Sequence, residues 1–190
     1  TEEYAETKAS YLLAVKKVII SHVHMDHVGG LGNLFWDIRR QQIWLKMTQK
    51  FGDVHLHIPV KETWDAFLRI LGHTEDGFTG MPVHCHIVTD GIVFEDENMK
   101  VTAFHNRHRG IPEDGNWESF SFLIEAEGKK IVYTGDIKEY SDDTFGKVLQ
   151  NYENQTMDGA WIVNMTHGGD VTTYLPENSL PSYQSCIDHN

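Results

Sequence analysis

Ser21-His22-Val23-His24-Met25-Asp26-His27-Val28-Gly29-Gly30-Leu31-Gly32 is the stretch on which the reading of this chain turns. It follows Val18, Ile19 and Ile20, an apolar run with the length and composition of a short buried strand. The apolar run then stops, and four side chains able to bind metal, His22, His24, Asp26 and His27, fall within six residues. A turn at the carboxyl end of a buried strand is a usual place for binding and catalytic groups. While the chain is extended, the i, i+2 spacing of His22 and His24 points both imidazoles the same way. Once it turns, Asp26 and His27 can face a second point a few ångströms from the first. Neutral imidazoles with a carboxylate suit zinc, and the layout has room for two ions side by side. A lone His-x-His is more often a solvated turn. Four such residues, with a strand before them and Gly29-Gly30 after, outweigh that reading.

The rest of the composition frames this turn. The chain has 190 residues, 16 Lys plus Arg against 28 Asp plus Glu, a net charge of −12, 12 His and 2 Cys. That length predicts one domain over residues 1–190. With 40% hydrophobic and 23% charged residues, the chain is neither a disordered tail, a collagen-like repeat nor a coiled coil. No apolar run approaches the ~20 residues that span a bilayer, so no membrane partner is expected. Thr1-Glu2-Glu3 lacks the basic-then-apolar layout of a secretory signal, and the absence of an initial Met suggests a processed or trimmed chain. Cys85 and Cys186 make neither a disulfide framework nor a four-thiolate zinc site, which predicts a cytoplasmic location. The acidic balance argues against an extended nucleic-acid surface.

Outward from the turn, residues 1–16 predict a helix or helix end. Apolar residues at 31, 34, 35, 38, 43 and 45 predict a helix followed by a strand. Val54–Pro59 alternates as a strand, and Trp64, Phe67, Leu68 and Leu71 mark a helix over Glu62–Leu71. Gly72–Pro82 is expected as a loop containing His73. From Val83 the expectation is strand after strand in a run of hairpins: Val83–Val88, Ile92–Glu95, Lys100–Phe104, Ser119–Ala126 and Lys129–Thr134. The hairpin turns are expected at Val93-Phe94-Glu95-Asp96-Glu97-Asn98 and Glu127-Gly128-Lys129. A helix over Asp142–Gln150, a strand over Gly159–Asn164 and a loop-rich end complete the chain. The order predicts an α/β layered domain. His55 with His57, and His84 with His86, are same-face strand pairs with Cys85 opposite. Neither pair has a third ligand nearby in sequence, so half-exposed strand faces are expected.

The Ser21–Leu31 string resembles the His-x-His-x-Asp-His signature of the metallo-β-lactamase superfamily of metal-dependent hydrolases. That resemblance implies a four-layer αββα sandwich and further ligands downstream. Val101–His108 offers His105 and His108 at a strand end, and the resemblance favours His108. Ile131-Val132-Tyr133-Thr134-Gly135-Asp136 resembles the family's strand ending in Gly-Asp, whose aspartate bridges two metals. An apolar strand can deliver such a carboxylate to a buried site, with Gly135 allowing close backbone approach. The resemblance therefore implies His22, His24 and His108 on a first ion and Asp26, His27 and Asp136 on a second. It implies two zinc ions per chain, with manganese or iron as alternatives, and Asp26 as the catalytic residue that orients or deprotonates the attacking water.

The resemblance is strongest over residues 17–170, and the pattern departs from the family at both flanks. No apolar strand ending in the family's last histidine follows Asp136; His167 and His189 are poor substitutes. Few residues precede Ser21 for the usual leading hairpin, so a truncated version of a longer fold is expected. The implied activity is hydrolysis by a metal-activated water, whose pKa falls from about 15.7 toward ~7. The layout from Phe104 to Asp136 resembles the ribonuclease Z and phosphodiesterase branch. Residues 46–85 hold no basic arm for tRNA, so a phosphodiester or other small anionic ester is expected ahead of a lactone, thioester or lactam. A metal-binding module without turnover is the alternative from another class. A di-iron redox site is disfavoured, because such relatives carry a carboxylate where His24 stands. The expected partner is a small-molecule substrate, and a homo-oligomer is compatible with the sequence.

Overall fold

The computed structural model describes residues 10–44, 53–74, 83–136 and 160–163. The chain divides into two compact units, Thr1–Val88, which mixes helices and strands, and Thr89–Asn190, whose described elements are strands; together they carry the α/β class expected from the sequence.

In the first unit, residues 10–14 are helical and lead into β1 (Lys17–Ile19), the one-turn helix α1 (Met25–Val28) and α2 (Leu31–Trp44). Then come β2 (Val54–Ile58), α3 (Lys61–Thr74) and β3 (Val83–Ile87). The three strands form one parallel sheet in the order β1-β2-β3. Parallel neighbours need a crossover, and the helices between the strands supply it. One sheet face carries Val18, Leu56, Val83 and Cys85 into a core with Leu31, Phe35 and Trp64. The Phe35 and Trp64 rings meet at 4.8 Å between centroids, tilted by 50°, a favourable offset for two large buried aromatics.

Three expectations are corrected here. β3 is not the first arm of a hairpin run; it pairs in parallel with β2, because Val83 and Cys85 continue the apolar face set by Leu56. The helix after the turn runs unbroken to Trp44, and the strand expected after it falls outside the described residues. Gly72 and His73 belong to α3 rather than to a loop, since Leu71 is still buried on the apolar stripe of that helix.

The second unit holds β4 (Gly91–Glu95), β5 (Met99–His105), β6 (Phe120–Ala126), β7 (Lys129–Tyr133) and β8 (Ala160–Val163). They form a five-stranded sheet in that order, antiparallel except for the parallel β7–β8 pair. At the β4–β5 turn, Asp96 Oδ1 accepts the backbone N–H groups of Asn98 and Met99, both at 3.0 Å, so the carboxylate itself closes the turn. Val101, Ala103, Phe120, Phe122 and Val132 are its buried apolar residues. The expected helix over Asp142–Gln150 lies outside the described residues. No helix among the described residues is long and apolar enough to cross a membrane.

His57 gives the first unit a dependence on pH. It lies in β2 opposite Ile19 and His86, and is only 6% exposed, which corrects the half-exposed position expected for it. Burial, followed by the charges of His86, His55 and Lys17, pushes its pKa down to about 4. In an unfolded chain the group titrates near ~6.5, so between these values the unfolded state binds a proton that the folded state does not. The contribution to stability is thus complete above pH ~6.5 and is lost as the pH falls toward ~4, by at most about 3 kcal/mol. Urea midpoints of the metal-free chain should drop across that window, and drop less in His57→Gln. Parallel pH profiles for the two proteins would exclude His57 as the cause.

Candidate metal centre

The buried strand β1 continues through Ile20, whose backbone N–H donates to the His57 carbonyl at 2.9 Å. That bond holds the chain extended up to the point where the ligand-type residues begin. His22 is fully buried, and its Nε2 lies 3.1 Å from His24 Nδ1. Donors bound to one tetrahedral ion with bonds of ~2.0–2.1 Å stand about 3.3 Å apart, so the two imidazoles are already near a chelating separation. His24 then caps α1: its carbonyl accepts the N–H groups of His27 and Val28, each at 3.0 Å. This single helical turn brings His27 back beneath His22, with 4.0 Å between ring centroids. Asp26 lies beside it, its Oδ2 3.5 Å from His27 Nε2, and its side chain remains 55% exposed.

Gly29 ends the turn. Its N–H donates to the Met25 carbonyl at 2.7 Å, and a Cβ at this position would stand 2.6 Å from that same oxygen. Any side chain here would open the turn that carries Asp26 and His27.

Ser21 is a residue of the candidate site that the sequence did not single out. Its hydroxyl lies 3.2 Å from His22 Nδ1 and 3.4 Å from His27 Nδ1. The hydroxyl oxygen has two lone pairs and can accept from the Nδ1–H of both rings, which leaves both Nε2 lone pairs free. Contact at Nδ1 directs Nε2 of both rings to the opposite side, the kind of support that fixes a ligating histidine. A serine next to a histidine carries no such signal in sequence, since the second contact closes only after the chain has turned.

In the second unit, His108 Nε2 lies 3.5 Å from Asp136 Oδ2. Asp136 is 3% exposed, and a carboxylate this buried requires charged or hydrogen-bonding company. Both residues are held by one buried chain of hydrogen bonds. Asn106 Oδ1 accepts the His108 backbone N–H at 3.1 Å, and its Nδ2 donates to Ser121 Oγ at 3.2 Å. Ser121 Oγ in turn donates to the Thr134 carbonyl at 2.7 Å. The loop after β5 is thereby tied to the end of β7. Gly135, at φ +57°, makes the left-handed step that turns the chain into Asp136. Asn106 and Ser121 were also missed in the sequence, where nothing distinguishes them from ordinary strand-end polar residues.

His105, the other downstream candidate, is engaged elsewhere. Its ring bonds Asp90 Oδ2 at 2.5 Å through Nδ1 and stacks on Trp117 at 4.0 Å. Thus His22, His24, Asp26 and His27 form one group, and His108 and Asp136 another. His167 and His189 lie outside the described residues. Imidazoles with carboxylates in both groups fit a divalent transition metal.

The family described as the beta-lactamase superfamily domain matches residues 5–167. Similar solved structures include the Zn(2+)-bound PqqB of Methylobacterium extorquens, with 14% identity, 82% of this chain and 48% of that one covered, and a TM-score of 0.48. Unliganded PDE1 of yeast gives 13% identity, 80% and 43% coverage and a TM-score of 0.46. A diphosphatase of the PhnP family gives 19% identity, 75% and 48% coverage and a TM-score of 0.44. The chain spans about half the length of these structures. No curated protein matches it.

Asn106→Ala should leave the His108 backbone N–H without its acceptor and remove the donor to Ser121 Oγ, which keeps only the Thr134 carbonyl. A loss of about 1–3 kcal/mol is expected for such a change, measured as a lowered urea midpoint. An unchanged midpoint would mean that the tether is not what holds this loop.

Proposed function

Since the chain belongs to the metallo-β-lactamase superfamily, matched over residues 5–167, we propose that it is a zinc-dependent hydrolase acting on a phosphodiester or other small anionic ester. The observation that carries the reading is the near-chelating pair His22 Nε2 and His24 Nδ1, 3.1 Å apart, at the head of the superfamily's motif. The order of motifs along the chain assigns His22, His24 and His108 to one ion and Asp26, His27 and Asp136 to a second. In this reading the two units, and residues 1–190 with them, work as one catalytic domain, in the cytoplasm and on a small-molecule substrate rather than a nucleic acid.

Bound divalent zinc supplies Lewis acidity toward the substrate oxygen and lowers the pKa of water. The protein's own residues do the rest. Asp26, still open to solvent at its carboxylate, orients the attacking water and accepts its proton. His22 and His27 are kept in register by Ser21, which holds both rings by Nδ1. Asp136, buried just after the end of β7, would help to hold the second ion through its negative charge. The substrate class rests on the likeness of residues 104–136 to the phosphodiesterase branch and on the absence of a basic arm in residues 46–85.

Two measurements test the reading. Metal analysis should find zinc on the purified chain, and a chromogenic phosphodiester should be hydrolysed by wild type at least ~10²-fold faster than by Asp26→Asn. A chain without zinc, or equal rates in the two proteins, overturns it. Separately, Ser21→Ala should weaken zinc binding ~10–100-fold in competition with a chelator while leaving the fold intact; wild-type affinity in that variant would remove Ser21 from the site.

A further inference from the structure

His105 ends β5 and is held on two sides. The β4–β5 ladder stops where Gly91 pairs with Ala103, and beyond that point the Asp90 side chain stands in for the missing strand. Gly91, at φ +107°, makes the backbone step that only glycine takes easily and that leads from Asp90 into β4. Asp90 Oδ1 accepts the His105 backbone N–H at 2.6 Å, and Oδ2 accepts the ring Nδ1–H at 2.5 Å. Both carboxylate oxygens are thus spent on one residue, which fixes the direction of the His105 ring. On its flat side the ring meets Trp117, with 4.0 Å between centroids and 16° between planes.

The loop between β5 and β6 is fastened around this stack. The Asn106 backbone N–H donates to the Ser119 carbonyl at 2.9 Å, and Arg109 donates through Nε and Nη2 to Glu118 Oε2 at 3.2 and 2.8 Å. The Gly110 N–H bonds the Arg107 carbonyl at 2.8 Å, so His108 stands on the turn that this bond closes. An ion pair as exposed as Arg109–Glu118 holds little by itself. The flat contact of two rings, one of them already fixed by a carboxylate, is the stronger hold on the returning arm of the loop.

We propose that Asp90, His105 and Trp117 are positioning residues for His108: the carboxylate fixes the His105 ring, the ring seats Trp117, and the closed loop presents His108 to a metal ion. The inference rests on the assignment of His108 to an ion under the proposed function. All the residues concerned lie in the second unit. The three act through the backbone of the loop, and His105 serves the site as a strut rather than as a ligand. A ligand on a loop that is already closed loses little freedom on coordination. Releasing the clamp therefore weakens metal binding without removing a ligand.

The test measures Zn2+ affinity of the metal-free full chain by competition with a chromophoric chelator, for wild type, His108→Ala, Asp90→Asn, Trp117→Ala and Trp117→Phe. Asp90→Asn keeps an oxygen for the backbone N–H and loses the acceptor for the ring; Trp117→Phe keeps a ring to stack. The expected result is that Asp90→Asn and Trp117→Ala weaken, by about 10-fold, the same binding step that His108→Ala removes. Trp117→Phe should bind as wild type does, a rescue that a general loss of stability would not give. Wild-type affinity in either Asp90→Asn or Trp117→Ala overturns the clamp and leaves the proposed metal site standing, as does equal weakening in Trp117→Ala and Trp117→Phe. Wild-type affinity in His108→Ala instead overturns the assignment of His108, and the clamp with it. If Trp117→Ala does not fold, the change at the half-exposed Asp90 carboxylate still decides: weaker binding in a chain that circular dichroism shows to be folded supports the clamp, and wild-type binding refutes it.

Discussion

Two imidazole nitrogens cannot stay 3.1 Å apart with both lone pairs facing each other; a proton or a cation has to lie between them. That constraint acts on His22 and His24, and much of the first unit is arranged around it. β1 fixes the backbone direction, the Ile20–His57 hydrogen bond prevents the strand end from fraying, and the core under Val28, Leu31 and Phe35 seats the turn that follows. Ser21 then holds two rings by the nitrogens that face away from the site. The rigidity belongs to backbone and core, and the reactive side chains borrow it. Such an arrangement shortens the path to a metal-bound state, because little side-chain freedom remains to be lost on binding.

How much of this was legible in the sequence depended on how local each interaction is. The strand-turn-helix around Ser21–Leu31 was readable because an apolar run, four metal-capable residues and two glycines stand next to one another. Ile131–Asp136 was readable for the same reason: the strand and the carboxylate it delivers are contiguous. Asn106 and Ser121 were not, since their significance is a hydrogen bond between residues 15 apart, created by the β5–β6 pairing. Ser21 was hidden in plain view. Its adjacency to His22 is visible, but its reach to His27 depends on the single turn of α1.

The misassignment of β3 follows the same logic. Val83-His84-Cys85-His86-Ile87 alternates like a hairpin arm, and Ile92–Glu95 follows closely, so local pattern favours antiparallel pairing. The core decides otherwise: the Val83 and Cys85 face completes the apolar surface that Leu56 shares with Phe35 and Trp64. α3 lies between β2 and β3 in sequence and makes a parallel return feasible. Burial of one continuous face outweighed a short connection.

That same choice explains the histidines left over by the family motif. Once β3 lies parallel to β2 with Leu56 and Cys85 in register on the core side, alternation leaves the other face no freedom. His55, His57, His84 and His86 must then share it. Imidazolium charges at such spacing repel, and burial, followed by the charges of His86 and His55, lowers the pKa of His57 to about 4. A sheet face built this way is stable with a neutral His57 ring and is weakened by its protonation.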